Sequence, residues 1–224
     1  MGGSWIYEPM TSVTDFFLGL VTFYCAVRIS EVYWQKYYPF HFHLSWTLYM
    51  ISGAAFLSGI LHGFGPHFPE YLKNFLWGAV LQLVNLSGVF FLLGSLSAVL
   101  SGNTYGLSRW IPVLAFLVYS GKLLATGEVT WAVRFCGPVI VFALVMMVYL
   151  YLRTDDRGIG VITGGLVLAL VSGLFWVSSW SPDTGFSHND IYHVVQTVAL
   201  WVTYRGALAT GGFESASRRG AFSR

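Results

Sequence analysis

Apolar residues run along this chain in long blocks, broken by short polar or helix-breaking stretches. A window of about 20 apolar residues is the length that crosses a bilayer as a helix. Seven such windows are predicted, over roughly 11–29, 44–63, 75–100, 110–126, 132–152, 159–179 and 189–209. The breaks read "SEVYWQKYYPFHFH", "GFGPHFPEYLKN", "SGNTYGLSR", "TGEVT", "RTDDRG" and "SWSPDTGFSH". All are short and leave no room for an extramembrane domain. The expected fold is therefore all-α, a polytopic seven-transmembrane helix bundle. It forms one domain over 1–210, followed by a short basic tail over 211–224. Trp34, Tyr37, Tyr38, Trp77, Trp110, Trp131 and Trp180 lie near predicted span ends, as an interfacial aromatic belt would. Small residues four apart, Ala54/Ser58 and Gly160/Gly164, predict places where helices approach closely.

The distribution of Lys and Arg orients the spans. With the N-terminus outside, the inner loops and tail carry Arg28, Lys36, Arg109, Arg153, Arg157, Arg205, Arg218, Arg219 and Arg224. Only Lys73, Lys122 and Arg134 fall on outer segments. The positive-inside bias thus predicts N-terminus outside and C-terminus cytoplasmic.

Composition agrees with a lipid-embedded chain. Of 224 residues, 55% are hydrophobic and only 10% charged, where a soluble domain has about a quarter charged. The net charge of +2 and the lack of a basic stripe outside the tail argue against a nucleic-acid partner. The opening "MGGSWIYEP" has no basic start followed by an apolar core, so no cleavable signal peptide is expected, and Ile6 breaks the myristoylation pattern. Cys25 and Cys136 fall at opposite membrane faces in this topology, which argues against a disulfide. The expected location is an integral, multi-pass position in a bacterial inner membrane.

Charged and imidazole groups inside spans mark functional candidates. In the predicted topology the second span brings Ser58 and His62 to its outer end, and the seventh brings His188, Asp190 and His193 to the same level. The N-terminus of the first span adds Glu8 and, deeper, Asp15; the second outer loop adds His67 and Glu70. Ser58 and His62 are four apart and share a helix face; Asp190 and His193, three apart, can do the same. His188 and His193 are five apart, about 140° around a regular helix. Both point inward only if His188 lies on a non-helical turn, which Pro182 and Gly185 upstream would favour. Neutral imidazoles with a carboxylate or water as further ligand suit zinc. Asp190 is alternatively a helix cap, a group orienting an imidazole, or itself the third ligand beside His193. Glu70 and Lys73 read as an exposed loop pair, His67 as a solvated loop residue, and His41 and His43 as interfacial groups at the opposite face.

"SGILH", Ser58 to His62, resembles the Ser-x3-His motif of the seven-helix membrane hydrolase superfamily that contains alkaline ceramidases and adiponectin receptors. That superfamily carries His-x3-His on its last helix, and its three histidines bind catalytic zinc. Here the position four before His193 is Asn189, the extra imidazole is His188, and the family's acidic residue early in the third helix has no clean match, Glu70 or Asn74 being nearest. The resemblance implies Zn2+ on His62, His193 and His188, with Ser58 donating to a developing oxyanion. Asp190 or Asp15 is then the proton shuttle, and the substrate is a membrane lipid amide or ester. Its acyl chain is expected between "FFLG" of the first span and the third span, near Phe75, Trp77 and Phe90. Two rivals stand beside this reading. One is a non-enzymatic receptor, sensor or accessory subunit of the same fold; the other is a b-type haem protein with His62 and His193 as axial ligands.

Overall fold

A computed structural model describes residues 6–181 and 185–211. The described chain is helical almost throughout. The helices are α1 (Pro9–Lys36), α2 (Pro39–Phe64), α3 (Glu70–Val99), the short α4 (Gly102–Ser108), α5 (Trp110–Thr126), α6 (Thr130–Thr154), α7 (Arg157–Ser178) and α8 (His188–Ala209), with a 3-10 turn at Gly65–His67. The seven predicted spans correspond to α1, α2, α3, α5, α6, α7 and α8. Six helical segments, from α1 through α7 with α4 and α5 taken together, are long and apolar enough to cross a membrane. This points to an integral membrane protein. With 22 residues α8 is as long as α7, but it carries His188, Asp190, His193, Gln196 and Arg205. The tail residues Arg218, Arg219 and Arg224, and Pro182, lie outside the described residues.

The helices overrun their apolar windows. α1 continues through the polar stretch to Lys36, and only Tyr37 and Tyr38 separate it from α2. Tyr37 adopts the left-handed conformation (φ 54°) and its N–H donates to the Tyr33 carbonyl at 2.6 Å. Tyr38 is extended, as a residue before proline must be, and Pro39 occupies the first helical position where its missing N–H costs nothing. Polarity ends a hydrophobic window, but here backbone chemistry ends the helix.

Helix contacts close into a ring in the order α1, α2, α3, α6, α7, α8 and back to α1, with α5 outside it against α3 and α6. The ring is filled by apolar side chains such as Ile29, Phe40, Leu44, Leu48, Met147, Ile159 and Ile162, interleaved with small polar residues including Thr22, Ser52, Ser95 and Ser172. Large apolar side chains such as Leu20, Leu114, Leu117, Val145, Leu174 and Val177 face outward.

The tightest seam joins α7 to α8. A Cβ on Gly158 would lie 2.5 Å from the backbone N of Thr210, and one on Gly206 would lie 2.6 Å from the backbone N of Ile162. Gly165 likewise meets Thr203 and the Ala199 carbonyl. Gly160 and Gly164 do not form this contact: Gly160 faces the Tyr151 ring and Gly164 faces open space. The expected pair of small residues was thus on the wrong face of α7, since spacing alone does not say which face meets a neighbour. Ala54 and Ser58 are both buried in α2, as expected. Gly206→Ala should therefore cost about 1–3 kcal/mol through overpacking against backbone, whereas Gly164→Ala should leave stability unchanged or raise it. Thermal unfolding in detergent checks this, and equal loss in both variants would contradict the seam.

Candidate acid–imidazole site at one end of the bundle

The N-terminal end of α1 is held onto the C-terminal end of α2 by main-chain and side-chain bonds. The N–H groups of Tyr7 and Glu8 donate to the carbonyls of Gly63 and His62 at 3.0 and 3.1 Å. These are α2 carbonyls that lack an intrahelical partner. One turn deeper, the Ser12 hydroxyl donates to the Gly59 carbonyl at 2.8 Å. Gly59 and Gly63 permit the approach: a Cβ on Gly59 would be 3.2 Å from both Ser12 O and Asp15 Cβ, and one on Gly63 2.9 Å from Ser12 Oγ. α1 therefore lies directly on the "SGILHG" face, which sets Glu8 beside His62 and Asp15 beside Ser58.

Glu8 Oε2 accepts from His62 Nδ1 at 2.6 Å. A carboxylate has only acceptors, so the imidazole proton sits on Nδ1 and a neutral His62 presents its lone pair at Nε2. Asp15, 1% exposed, faces His193 from α8, with Oδ1 3.3 Å from Nε2. Its other oxygen, Oδ2, is buried without a hydrogen-bond partner. The Ser58 hydroxyl interacts with the same carboxylate but closes no hydrogen bond to Oδ2. On the far side of the ring, His193 Nδ1 lies 3.4 Å from Thr14 Oγ1. His62 and His193 are close enough to interact electrostatically, as are Asp15, Asp190 and Glu8. Five titratable groups, Glu8 and Asp15 at the start of α1, His62 of α2, and Asp190 and His193 of α8, thus lie within electrostatic range of one another at one end of the bundle.

α8 begins with a capping box. The Ser187 side chain accepts from Asp190 N at 3.3 Å, while Asp190 Oδ2 accepts from Ser187 N at 2.6 Å and from Ser187 Oγ at 2.9 Å. Asp190 Oδ1 accepts from Thr14 Oγ1 at 3.5 Å. Of the roles expected for Asp190, helix cap, group orienting an imidazole, third ligand or proton shuttle, the structure shows the cap, and Thr14 ties this start of α8 to α1. Ser187 is the residue outside the helix and His188 is the first one inside it. This corrects the expectation of a non-helical turn at His188. Within regular helix His188 and His193 point about 140° apart, so His188 does not join His193 at Asp15. The Ser-x-x-Asp signal for such a cap was present in the sequence at 187–190. Thr14 was not among the sequence candidates, because its partners Asp190 and His193 come from a helix far away in the chain.

The remaining candidates separate from the site. Glu70 and Lys73 form the expected exposed pair at 3.3 Å. His67 ends the 3-10 turn. His43 contacts the Tyr105 hydroxyl at 3.0 Å, and His41, in the first turn of α2, is fully buried with Nε2 2.9 Å from the Ala207 carbonyl of α8. α2 packs between α1 and α3, Phe75 is 70% exposed, and Phe90 stacks on Trp46. The first and third helices therefore do not enclose a slot for an acyl chain.

Among the described residues no group of three His, Cys, Asp or Glu side chains stands assembled to hold a metal ion. The site consists of two carboxylate–imidazole pairs. Its donor types nevertheless match zinc in part: His62 has Nδ1 bound by a carboxylate and Nε2 unclaimed, and Asp15 has a buried orphan oxygen. The three-histidine set does not fit, because His188 faces elsewhere.

Removing the cap should loosen the site locally. Ser187→Ala should cost about 1 kcal/mol and speed amide hydrogen exchange over 188–191, leaving α7 unchanged. Equal protection in both proteins would show that the cap does not hold this helix start.

The sequence profile of a family of unknown function, DUF6962, matches residues 10–211, and the chain belongs to that family. No curated protein and no solved structure matches it.

Proposed function

We propose that this member of DUF6962 is a seven-span membrane protein, N-terminus outside and C-terminus cytoplasmic, whose outer end carries a zinc-assisted hydrolase site for a lipid amide or ester. The observation that carries the reading is the pairing of His62 and His193. They come from helices far apart in sequence, enter one partly buried cluster, and each has its Nδ1 against an oxygen partner, Glu8 or Thr14. Metal-binding imidazoles are oriented in this way by groups behind them.

His62 and His193 would hold the ion, and zinc supplies Lewis acidity and a hydrolytic water active near neutral pH. Glu8 fixes the tautomer and plane of His62. Ser58, buried on the same face of α2 as His62 and beside Asp15, is placed to donate a hydrogen bond to charge that develops on a carbonyl oxygen. A well-aimed donor of that kind contributes ~3 kcal/mol. The outward apolar faces of the bundle leave a lipid's chains in the membrane while its polar linkage meets the cluster at the helix ends.

The orientation rests on the nine Lys and Arg assigned to the inner side against three outside. A reporter fused after Arg224 should be cytoplasmic and one inserted within 180–187 should be external. The reverse pattern would move the cluster to the inner face.

Elemental analysis of purified protein beside a visible spectrum tests the chemistry. About one zinc per chain is expected, lost in His62→Ala and in His193→Ala and kept in His67→Ala. Fatty-acid release from lipid amides or esters should disappear with the metal. Protein without zinc overturns the zinc reading, a haem spectrum favours the axial-ligand alternative, and zinc without turnover makes the chain a receptor or sensor.

A further inference from the structure

We propose that a lipid acyl chain seats in a groove between α1 and α8, with its polar linkage at the level of Thr14, Asp190 and His193; this rests on the lipid-substrate reading above but not on zinc. The seam between these two helices is tied at both ends and open between them. At the acid–imidazole end, the Thr14 hydroxyl of α1 lies 3.5 Å from Asp190 Oδ1 and 3.4 Å from His193 Nδ1 of α8. At the other end, Tyr24 of α1 stacks on Trp201 of α8, with ring centroids 6.2 Å apart. Between the two ties the helices leave a cavity of about 220 Å3, lined by Phe17, Val21, Thr197, Val198 and Trp201.

Side-chain length makes this gap. Val21 and Thr197 are short where Tyr24 and Trp201, one turn further along each helix, are long enough to meet. Val21 packs against the core and Thr197 is buried, so these two form the floor. Phe17 and Val198 are 54% and 49% exposed and form the walls. In a bilayer those walls face lipid tails, and the groove opens sideways into the membrane.

The lining selects hydrocarbon. Phe17, Val21 and Val198 are apolar, the Thr197 hydroxyl donates to the His193 carbonyl at 2.7 Å, and the Trp201 ring is stacked on Tyr24. At about 220 Å3 the groove is smaller than the roughly 300–1,000 Å3 of pockets that enclose a whole small molecule. It takes part of one chain and leaves the headgroup outside.

Length sets the register. From Thr14 to Tyr24 along α1, and from His193 to Trp201 along α8, the ties stand about 15 and 12 Å apart at 1.5 Å per residue. One leaflet supplies about 15 Å of hydrocarbon, half of a ~30 Å core. The slot therefore has the length of one acyl chain from its linkage to the bilayer midplane. The ester or amide then stands beside Thr14 and His193, where Asp15 also faces the imidazole. Phe17 belongs to the "FFLG" stretch expected to meet the chain, but the helix opposite it is α8 and not α3.

Photo-crosslinking of the purified full chain in phosphatidylcholine nanodiscs tests this without an activity assay. The probe is phosphatidylcholine with a diazirine in one acyl chain, either near the carbonyl or near the terminal methyl, and labelled residues are read by mass spectrometry. The carbonyl-side probe should label residues 13–17, and the terminal probe residues 21–24 and 198–201. Both should exceed labelling of Leu114 and Val145, which are at least as exposed on α5 and α6. Val198→Trp at the wall and Val21→Phe at the floor should each abolish that excess, whereas Leu114→Trp should leave it intact, with helical content checked by circular dichroism. Even labelling of all lipid-facing residues means that bulk lipid alone covers the seam, and overturns the proposal. So does an excess that survives both groove variants, or an unlabelled groove in a dimeric sample, where a second copy covers it. Labelling in the expected register by a protein that releases no fatty acid keeps the chain site and removes the hydrolase reading.

Discussion

Everything at the candidate site depends on how closely α1 and α2 approach. Inside a bilayer no hydrophobic drive pushes helices together, because lipid tails are as apolar as leucine. Close packing and hydrogen bonds between helices must do it. Gly59 and Gly63 remove the side chains that would hold α1 away, and Ser12 then reaches the Gly59 carbonyl. A bulkier residue at either glycine would lift α1, part Glu8 from His62 and part Asp15 from Ser58. The α7–α8 seam does the equivalent on the other side, with Gly158, Gly165 and Gly206 bringing backbones into contact. His193 is thus carried on a helix clamped to α7 behind and tied to α1 in front.

Much of this was legible in the sequence. Seven helices and the residues that meet at one end, His62, His193, Asp15 and Glu8, follow from hydropathy windows and from counting which ends share a side. Hydropathy was less informative about where helices stop. It ended the first window near residue 29, while Pro39 and the left-handed Tyr37 end the helix. Facing was the least legible property. Gly160 and Gly164 carry the small-residue spacing, yet Gly158 and Gly165 meet α8, because rotation of a helix about its axis is decided by neighbours that spacing does not encode. His188 was misjudged for a related reason. A cap at Asp190, one of the roles its position offers, fixes the start of α8 at His188 independently of any ligand.

The cluster's charge balance explains why these acids tolerate their depth to different degrees. Asp190 sits in the first turn of α8, where the helix dipole favours an anion and two donors from Ser187 satisfy Oδ2. Glu8 is the N-terminal flanking residue of α1, partly exposed, and its charge is shared with an imidazole N–H. The cap of its own helix satisfies most of Asp190, whereas Glu8 draws on His62 of α2. Asp15 is different. It lies in the second turn of α1, where the dipole effect has faded, and its burial leaves one oxygen unpaired. An apolar residue of similar size would fill the same space without a desolvation cost. Asp15 is thus held by contacts from other helices, Ser58 of α2 and His193 of α8, rather than by the start of its own helix.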